Sequence, residues 1–189
     1  MKVVIDTNSL LSLVRYYLPF DKKKILFEFI KNKIEKGEII IIDQVLQECT
    51  YNSKGIIIST LDYLNDKNFL KTAKVPQKTE NLLVPNTKQF FHQLNSVFVN
   101  SILRRKITDV EFETRKNSFL ESADMKQIIF ALNIQQDGEK VVLVTEETES
   151  NNDNKLFKKI PAICKELEIE TMTLPELLEK FDGISMDFQ

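Results

Sequence analysis

The chain opens with KVVIDTNSLLSLV at residues 2–14, a sequence with three distinct parts. Residues 2–5 are a short, mostly apolar run, which is typical of a strand buried on both faces of a sheet. The four polar residues 6–9 interrupt this run, and Asp, Thr, Asn and Ser all favour turns and helix N-termini. Apolar residues at positions 10, 11, 13 and 14 follow at helical spacing. The opening therefore predicts a strand, a polar turn and a helix.

The same alternation of strand and helix recurs along the chain. Apolar strands are predicted at 38–42 (EIIII), 141–144 (VVLV) and 169–172. Helices are predicted at 21–36, from Asp43, from Asp124, at 161–167 and at 175–181. Strands that alternate with helices favour a parallel sheet. We therefore expect an α/β fold in three α/β/α layers, with a central, mostly parallel sheet of four to five strands.

The segment from about residue 55 to residue 120 departs from this alternation. Its pattern is mostly helical, with a polar break from Lys74 to Pro85 and further helices at 90–103 and 112–120. It indicates a helical insertion within one domain of residues 1–189. The insertion either shapes a substrate groove, holds a partner protein or simply packs on the core, and the sequence leaves these alternatives open.

Composition excludes several kinds of chemistry. The single histidine, His92, and two distant cysteines are too few for a His- or Cys-ligated zinc site, and they disfavour a Ser-His-Asp triad. There is no apolar stretch of about 18 residues and no signal-peptide pattern, so we expect a cytoplasmic protein with no membrane span. The formal net charge of −2 neither indicates nor excludes a nucleic-acid ligand. Carboxylates must carry the chemistry.

Acidic residues are predicted to converge at one end of the sheet. Asp6 follows the first strand, Glu48 lies in the helix after the second strand, and Asp124 begins the helix before the third. The third strand ends in a pair of glutamates, Glu146 and Glu147. Function gathers at the carboxyl ends of parallel strands, and clustered carboxylates repel unless a cation neutralises them. Oxygen ligands of this kind suit Mg²⁺ or Mn²⁺.

Four segments resemble, in order, the motifs of PIN-domain nucleases. They are VVIDTNSLLSL at 3–13, DQVLQE at 43–48, SADMKQIIFAL at 122–132 and VVLVTEE at 141–147. The resemblance covers residues 1–52 and 120–180. It implies a PIN-like fold in which Asp6, Glu48 and Asp124 are the core metal ligands.

Three further site residues follow from the resemblance. Asn8 matches a polar neighbour of the metal site, and Thr145 matches a hydroxyl that supports it. Glu147 occupies the position of a fourth acid, where the family more often has aspartate. Glu146 is its rival for this role, and Glu121, one helical turn before Asp124, is another acid within reach.

The activity that the resemblance implies is metal-dependent hydrolysis of RNA phosphodiester bonds by an endoribonuclease. One or two ions held by the acids would lower the pKa of the attacking water and stabilise the leaving oxygen. The candidates for binding RNA phosphates are Arg15, Arg104, Arg105, Lys106 and Arg115.

The resemblance extends to the toxins of toxin–antitoxin pairs, which implies an antitoxin partner and a homodimer. Those toxins are shorter than this chain, and the excess lies at 55–120. The alternative is a catalytically silent PIN-like module that binds RNA or protein, and the glutamate at 147 favours it. A haloacid dehalogenase-type phosphatase is disfavoured because Asp6-Thr7-Asn8 lacks the second aspartate. A P-loop NTPase is excluded because GxxxxGK[ST] is absent.

Overall fold

The computed structural model describes residues 1–149 and 154–181, and within these ranges the strands form one parallel sheet. The strands are β1 (Lys2–Ile5), β2 (Ile39–Ile40), β3 (Val141–Val144) and β4 (Glu170–Met172). They are ordered β2-β1-β3-β4, and every neighbouring pair is parallel. The expected α/β class and the four-stranded parallel sheet are therefore confirmed.

Helices separate the strands and cover both faces of the sheet. The helices before β3 are α1 (Thr7–Ser12), α2 (Ile25–Glu35), α3 (Asp43–Tyr51), α4 (Ile56–Thr60), α5 (Lys67–Ala73), α6 (Thr87–Ser96), α7 (Ser101–Arg104), α8 (Asp109–Leu120) and α9 (Ala123–Gln136). Those after it are α10 (Ile160–Glu166) and α11 (Leu174–Lys180). A π-helical turn at Leu13–Tyr17 continues α1.

Alternating side chains of the strands enter two separate apolar cores. Val3 and Ile5 of β1 lie in one core, whereas Val4 lies in the other. Val142 and Leu143 of β3 divide in the same way. Successive residues of a strand point to opposite faces, so a sheet that is apolar on both faces must be covered on both. This is the three-layer arrangement expected from the sequence.

The helical middle of the chain contributes to both cores. Ile57 and Leu61 pack in the core that contains Val3, while Phe90 and Leu94 pack in the opposite one. Between these two parts, the backbone of Gln77 donates to the carbonyl of Ile41 at 2.9 Å. The middle segment therefore supports the sheet on both sides.

Two predicted boundaries differ from the structure, at β2 and at α2. The predicted strand 38–42 keeps its ladder with β1 only at residues 39–40, because Ile42 bridges to Gln77 instead. The helix predicted from residue 21 begins at Ile25, and the Asp21 carboxylate accepts hydrogen bonds from the backbone N–H groups of Ile25 and Phe27, both at 2.8 Å.

The helix predicted at 90–103 is broken at residues 97–100. There the backbone N–H of Lys158 donates to the carbonyl of Phe98 at 2.8 Å, and the side chain of Asn100 caps α7. The segment is therefore held by residues that are distant in sequence, and such contacts cannot be seen in the local helical spacing.

No helix in residues 1–149 and 154–181 is long and apolar enough to cross a membrane. Cys49 and Cys164 are both free and buried, as expected. Burial raises the pKa of each thiol to about 12, so neither is a reactive thiolate at neutral pH.

Candidate metal centre

The carboxyl ends of β1 and β3 place the first two candidate residues side by side. Ile5 pairs with Val144, and the backbone N–H of Asp6 donates to the carbonyl of Val144 at 2.9 Å. Asp6 and Thr145 are therefore neighbours at the same edge of the sheet, with only 3% and 2% of their surfaces exposed. The first strand delivers its carboxylate into the protein rather than into solvent.

The Asp6 carboxylate is held by three donors. Its Oδ1 accepts from the backbone N–H of Thr7 at 2.7 Å and from Nε2 of Gln127 at 3.2 Å. Its Oδ2 accepts from the hydroxyl of Thr145 at 3.3 Å. Burial raises the pKa of Asp6, the hydrogen bonds from Gln127 and Thr7 oppose this, and the charge of Glu48 raises it further. The carboxylate is therefore fixed in place, and its buried surroundings disfavour its negative charge.

Glu48 is oriented by the residue that follows Asp6. It projects from α3, and its Oε2 accepts a 2.5 Å hydrogen bond from the Thr7 hydroxyl. Thr7 thus contacts two acids, because its backbone binds Asp6 and its side chain binds Glu48. The first and second sequence motifs are joined through this one residue.

Asp124 lies in the first turn of α9, where another residue performs the capping. The Ser122 hydroxyl accepts from the backbone N–H of Met125 at 3.3 Å, so Asp124 does not act as the cap. The helix therefore begins at Ala123, one residue before the expected start at Asp124. Asp124 is half-buried and its carboxylate has no capping role, which leaves it available for a site.

The pKa of Asp124 reflects both its burial and the charges of the other candidate acids. Burial raises the pKa of Asp124 to about 7, and the charges of Asp6, Glu147 and Glu48 raise it further, while Lys155 opposes them. Three other carboxylates thus act on Asp124 against one lysine. These four candidate acids, called the acid cluster below, are thus coupled electrostatically, although their carboxylates do not converge on one point.

The two glutamates after β3 point to different neighbours. Glu146 Oε1 accepts from the backbone N–H of Leu174 at 2.9 Å and from the Ser9 hydroxyl at 3.2 Å. Glu147 Oε2 accepts from the backbone N–H of Ile160 at 3.1 Å, and Glu147 also acts on Asp124. Glu147 is therefore the glutamate whose charge acts on Asp124, whereas Glu146 joins α1 to α11.

Glu121 lies outside the cluster. Its carboxylate is largely exposed and pairs with Lys126 of α9 at 2.9 Å. It does not contribute to the raised pKa of Asp124.

Asn8 lies at the exposed rim rather than among the buried ligands. It lines an open cavity of about 230 Å³ together with Arg15, Tyr16, Glu146 and Glu147. Of the arginines predicted to meet RNA, Arg15 is therefore at the acid site. Arg104, by contrast, pairs with Asp109 and covers the ring of Phe112.

Sequence reasoning missed Gln127, which is completely buried. Its Nε2 contacts Asp6, while its Oε1 has no hydrogen-bond partner among the residues that the structure describes. The signal in the sequence was a polar side chain three residues after Asp124, among the buried Met125, Ile128 and Ile129. A buried polar atom without a partner is costly, and such atoms concentrate at functional sites.

Whether these residues fit a metal ion depends on the type and arrangement of their ligand atoms. Within the described ranges, no three His, Cys, Asp or Glu side chains converge to hold an ion as they stand. Asp6, Glu48 and Glu147 each use their oxygens on protein donors instead. The chemistry of the set nevertheless fits a hard divalent cation, because all donors are oxygens and their charges are poorly compensated. The unpartnered Oε1 of Gln127 provides one more oxygen beside Asp6.

Comparison with protein families gives a match over nearly the whole chain. The model of a domain of unknown function, DUF4411, matches residues 3–183. The chain belongs to this family. The part of the chain that matches DUF4411 includes the four acids and the helical middle. No curated protein and no solved structure matches the chain.

Proposed function

We propose that this DUF4411 chain is a metal-dependent endoribonuclease of the PIN-like kind, with Asp6, Glu48, Asp124 and Glu147 as its Mg²⁺ or Mn²⁺ ligands. The observation that carries the proposal is the buried Asp6 carboxylate at the end of β1, which Gln127 and Thr145 hold in place and which Thr7 links to Glu48. The charges of Asp6, Glu147 and Glu48 also act on Asp124, and a protein gains no stability from carboxylates that repel one another without a cation. Such an arrangement is typical of a site that binds a cation.

Each residue of the cluster has a distinct role in this proposal. Asp6 is the most rigid ligand, because Gln127 and Thr145 fix both of its oxygens. Thr7 positions Glu48, and Glu147 lies where the cluster opens to the rim. A bound divalent cation supplies the Lewis acid that lowers the pKa of a water and offsets charge on the phosphate. No covalent nucleophile is needed.

Residues at the rim are suited to hold the substrate. Asn8 and Arg15 line the cavity that includes Glu147, so an RNA phosphate bound there would face the acid cluster. Arginine favours phosphate through its planar, multiply donating guanidinium. The residues of the chain would thereby bind and orient the scissile phosphodiester while the cluster holds the cation.

The proposal also includes a cellular compartment and two protein partners. Two free, buried thiols support a cytoplasmic protein, since disulfides are rare in that compartment. An antitoxin partner and a homodimer rest on the resemblance to PIN toxins alone. Size-exclusion chromatography with light scattering tests the homodimer directly.

The decisive experiment is cleavage of a labelled single-stranded RNA by the purified protein with Mn²⁺, with Mg²⁺ and with EDTA. Asp6→Asn and Asp124→Asn should abolish a metal-dependent activity, while the matched control Glu121→Gln should retain it. Circular dichroism should show that all three variants are folded. Activity that survives both aspartate substitutions would contradict the proposal.

One observation favours the second candidate, a catalytically silent module that binds RNA or protein. As described above, several carboxylate oxygens are already satisfied by protein donors, which is how a site that has lost its cation would be arranged. Calorimetric titration with Mn²⁺ separates the two candidates. Binding that Asp6→Asn removes supports the nuclease, and a wild-type protein that binds no Mn²⁺ supports the silent module.

A further inference from the structure

A groove of about 540 Å³ lies beside the acid cluster, between residues 96–102 and residues 155–166. Its walls are joined through the backbone: the N–H of Asn100 donates to the carbonyl of Leu156, and the N–H of Lys158 donates to the carbonyl of Phe98, both at 2.8 Å. Val99 and Phe157 form an antiparallel bridge between them. The groove is therefore held in shape by main-chain hydrogen bonds.

Basic side chains predominate along this groove. Lys155, Lys158, Lys159 and Lys165 line it, against Glu149 and Glu166. Two of these lysines form long ion pairs with the acids, at 3.6 Å between Lys158 and Glu166 and 3.4 Å between Lys165 and Glu149. Exposed pairs of this kind contribute little to stability, so the lysines can exchange them for phosphate contacts at little cost.

Lys155 connects the groove to the acid cluster. It lines the groove, and its Nζ lies 3.9 Å from Oε1 of Glu147. Its charge also acts on Asp124. A nucleic-acid strand that occupies the groove would therefore reach the acid cluster at Glu147. It would then continue toward the rim that carries Arg15 and Tyr16.

We propose that this groove, between residues 96–102 and 155–166, binds the sugar-phosphate backbone of single-stranded RNA on one side of the cleavage site. The proposal rests on the nuclease function and names the path of its substrate. Phosphates would meet Lys158 and Lys165, and the amide and hydroxyl of Asn100 and Ser101 would donate to the backbone. The Asn100 oxygen already caps α7, which leaves its NH₂ group to donate. Exposed Tyr16 beyond the cluster suits the stacking of an unpaired base.

The proposed RNA-binding groove assigns a function to the helical middle of the chain. Residues 96–102 belong to that segment and form one complete wall of the groove. Of the alternatives left open by the sequence, shaping the substrate groove is the one that this proposal selects.

Binding is measured in EDTA, so that cleavage plays no part, by fluorescence anisotropy with a short fluorescein-labelled single-stranded RNA. The groove variant is Lys158→Gln with Lys165→Gln, and the matched control is Lys22→Gln with Lys23→Gln, which removes the same charge from exposed lysines elsewhere. We expect the groove variant alone to lose roughly tenfold or more in affinity, and its slope of log affinity against log salt to fall by about 1.4, since each lost phosphate contact on a single strand accounts for about 0.7. Equal losses in both variants, or tighter binding to duplex RNA than to the single strand, would overturn the proposal.

A second measurement locates the RNA directly. Ser101→Cys, labelled with a photoactivatable crosslinker, should crosslink to the RNA, whereas Ser59→Cys on α4 should not. Both serines are exposed, and the natural cysteines are buried and do not compete for the label. Crosslinking from position 59 but not from 101 would overturn the path.

The outcomes separate this proposal from the nuclease function. Selective loss of binding in the groove variant supports the groove even in a protein that never cleaves RNA. Metal-dependent cleavage together with unchanged binding by the groove variant would keep the nuclease and reject the groove. A wild-type protein that binds no single-stranded RNA rejects the groove outright.

Discussion

Gln127 donates a 3.2 Å hydrogen bond from Nε2 to Oδ1 of Asp6, while its own buried Oε1 has no partner in residues 1–149 and 154–181. The carboxylate can only accept, so the amide must present its NH₂ group to Asp6 and leave the oxygen unsatisfied. The relationship links the third sequence motif to the first at the level of single atoms. The unsatisfied oxygen of Gln127 lowers the stability of the fold, which indicates that the residue has a function at the site.

Replacing Gln127 with leucine should separate stability from metal binding. The free energy of unfolding should change by less than about 1 kcal/mol, because the substitution removes an unsatisfied oxygen along with the hydrogen bond to Asp6. The affinity for Mn²⁺ should fall by about 10–100-fold, as it does when a residue that orients a ligand is lost. Urea denaturation and calorimetry measure the two effects. Gln136→Leu, at the exposed end of α9, should change neither, and an unchanged Mn²⁺ affinity in Gln127→Leu would contradict the role.

Asp124 should make the metal-free protein less stable as the pH rises. Its pKa is raised from 3.8 to about 7 in the folded state, so between these values the native protein binds more protons than the unfolded chain. Stability is therefore greatest at the acid end of this window and falls toward pH 7. The raised pKa of Asp6 acts in the same direction.

Asp124→Asn tests this pH dependence. Above neutral pH in EDTA, the variant should be more stable than the wild type by about 1–3 kcal/mol, since a neutral amide replaces a buried, repelled charge. The difference should shrink as the pH falls toward 4. Urea denaturation across the pH range measures it, with Glu121→Gln as the control, and equal slopes for wild type and Asp124→Asn would refute the assignment.

Much of the fold follows directly from the pattern of the sequence. The runs at 2–5 and 141–144 are strands with the predicted bounds, because continuous apolar stretches of this length have few other uses in an α/β protein. The shortening of β2 was not predictable, since it depends on Gln77, which is distant in sequence. The break at 97–100 likewise depends on residues 156–158.

The candidate site was likewise only partly predictable from the sequence. Asp6 and Asp124 could be placed because strand ends and helix starts converge at one edge of a parallel sheet. The different contacts of Glu146 and Glu147 could not be predicted, because Glu146 accepts from the N–H of Leu174 and Glu147 from that of Ile160, both distant in sequence. Gln127 was missed because its burial depends on which face of α9 meets the sheet.

Manganese should stabilise the protein more strongly at pH 8 than at pH 6. Cations bind the deprotonated carboxylates, so at pH 6 they must displace the proton that the raised pKa of Asp124 retains. A free concentration of about 100 times the dissociation constant should add roughly 2.7 kcal/mol to the free energy of unfolding. Thermal melts with and without Mn²⁺ at the two pH values measure the effect. Equal shifts at both would indicate that Asp124 is not a ligand.

Thr7 should control Glu48 through its hydroxyl. Thr7→Val keeps the shape of the side chain and removes the 2.5 Å hydrogen bond to Oε2 of Glu48. We expect Mn²⁺ affinity to fall about tenfold and the protein to lose about 1 kcal/mol of stability. Thr7→Ser restores the hydroxyl and should restore the affinity. A serine variant that binds Mn²⁺ as poorly as the valine variant would show that packing, not the hydrogen bond, is responsible.

Tyr16 should contribute to RNA binding without contributing to the fold. It is 65% exposed at the rim that also carries Asn8 and Arg15, and it lies within a π-helical turn (Leu13–Tyr17) of a kind that is frequent at functional sites. Tyr16→Ala should weaken the binding of single-stranded RNA by about 1–3 kcal/mol, the range for one stacked base, while Tyr16→Phe should bind as the wild type does. Anisotropy in EDTA measures both. Tyr51→Ala, which removes an equally exposed tyrosine (61%), is the control, and a loss of the same size there would mean that any exposed aromatic ring has this effect.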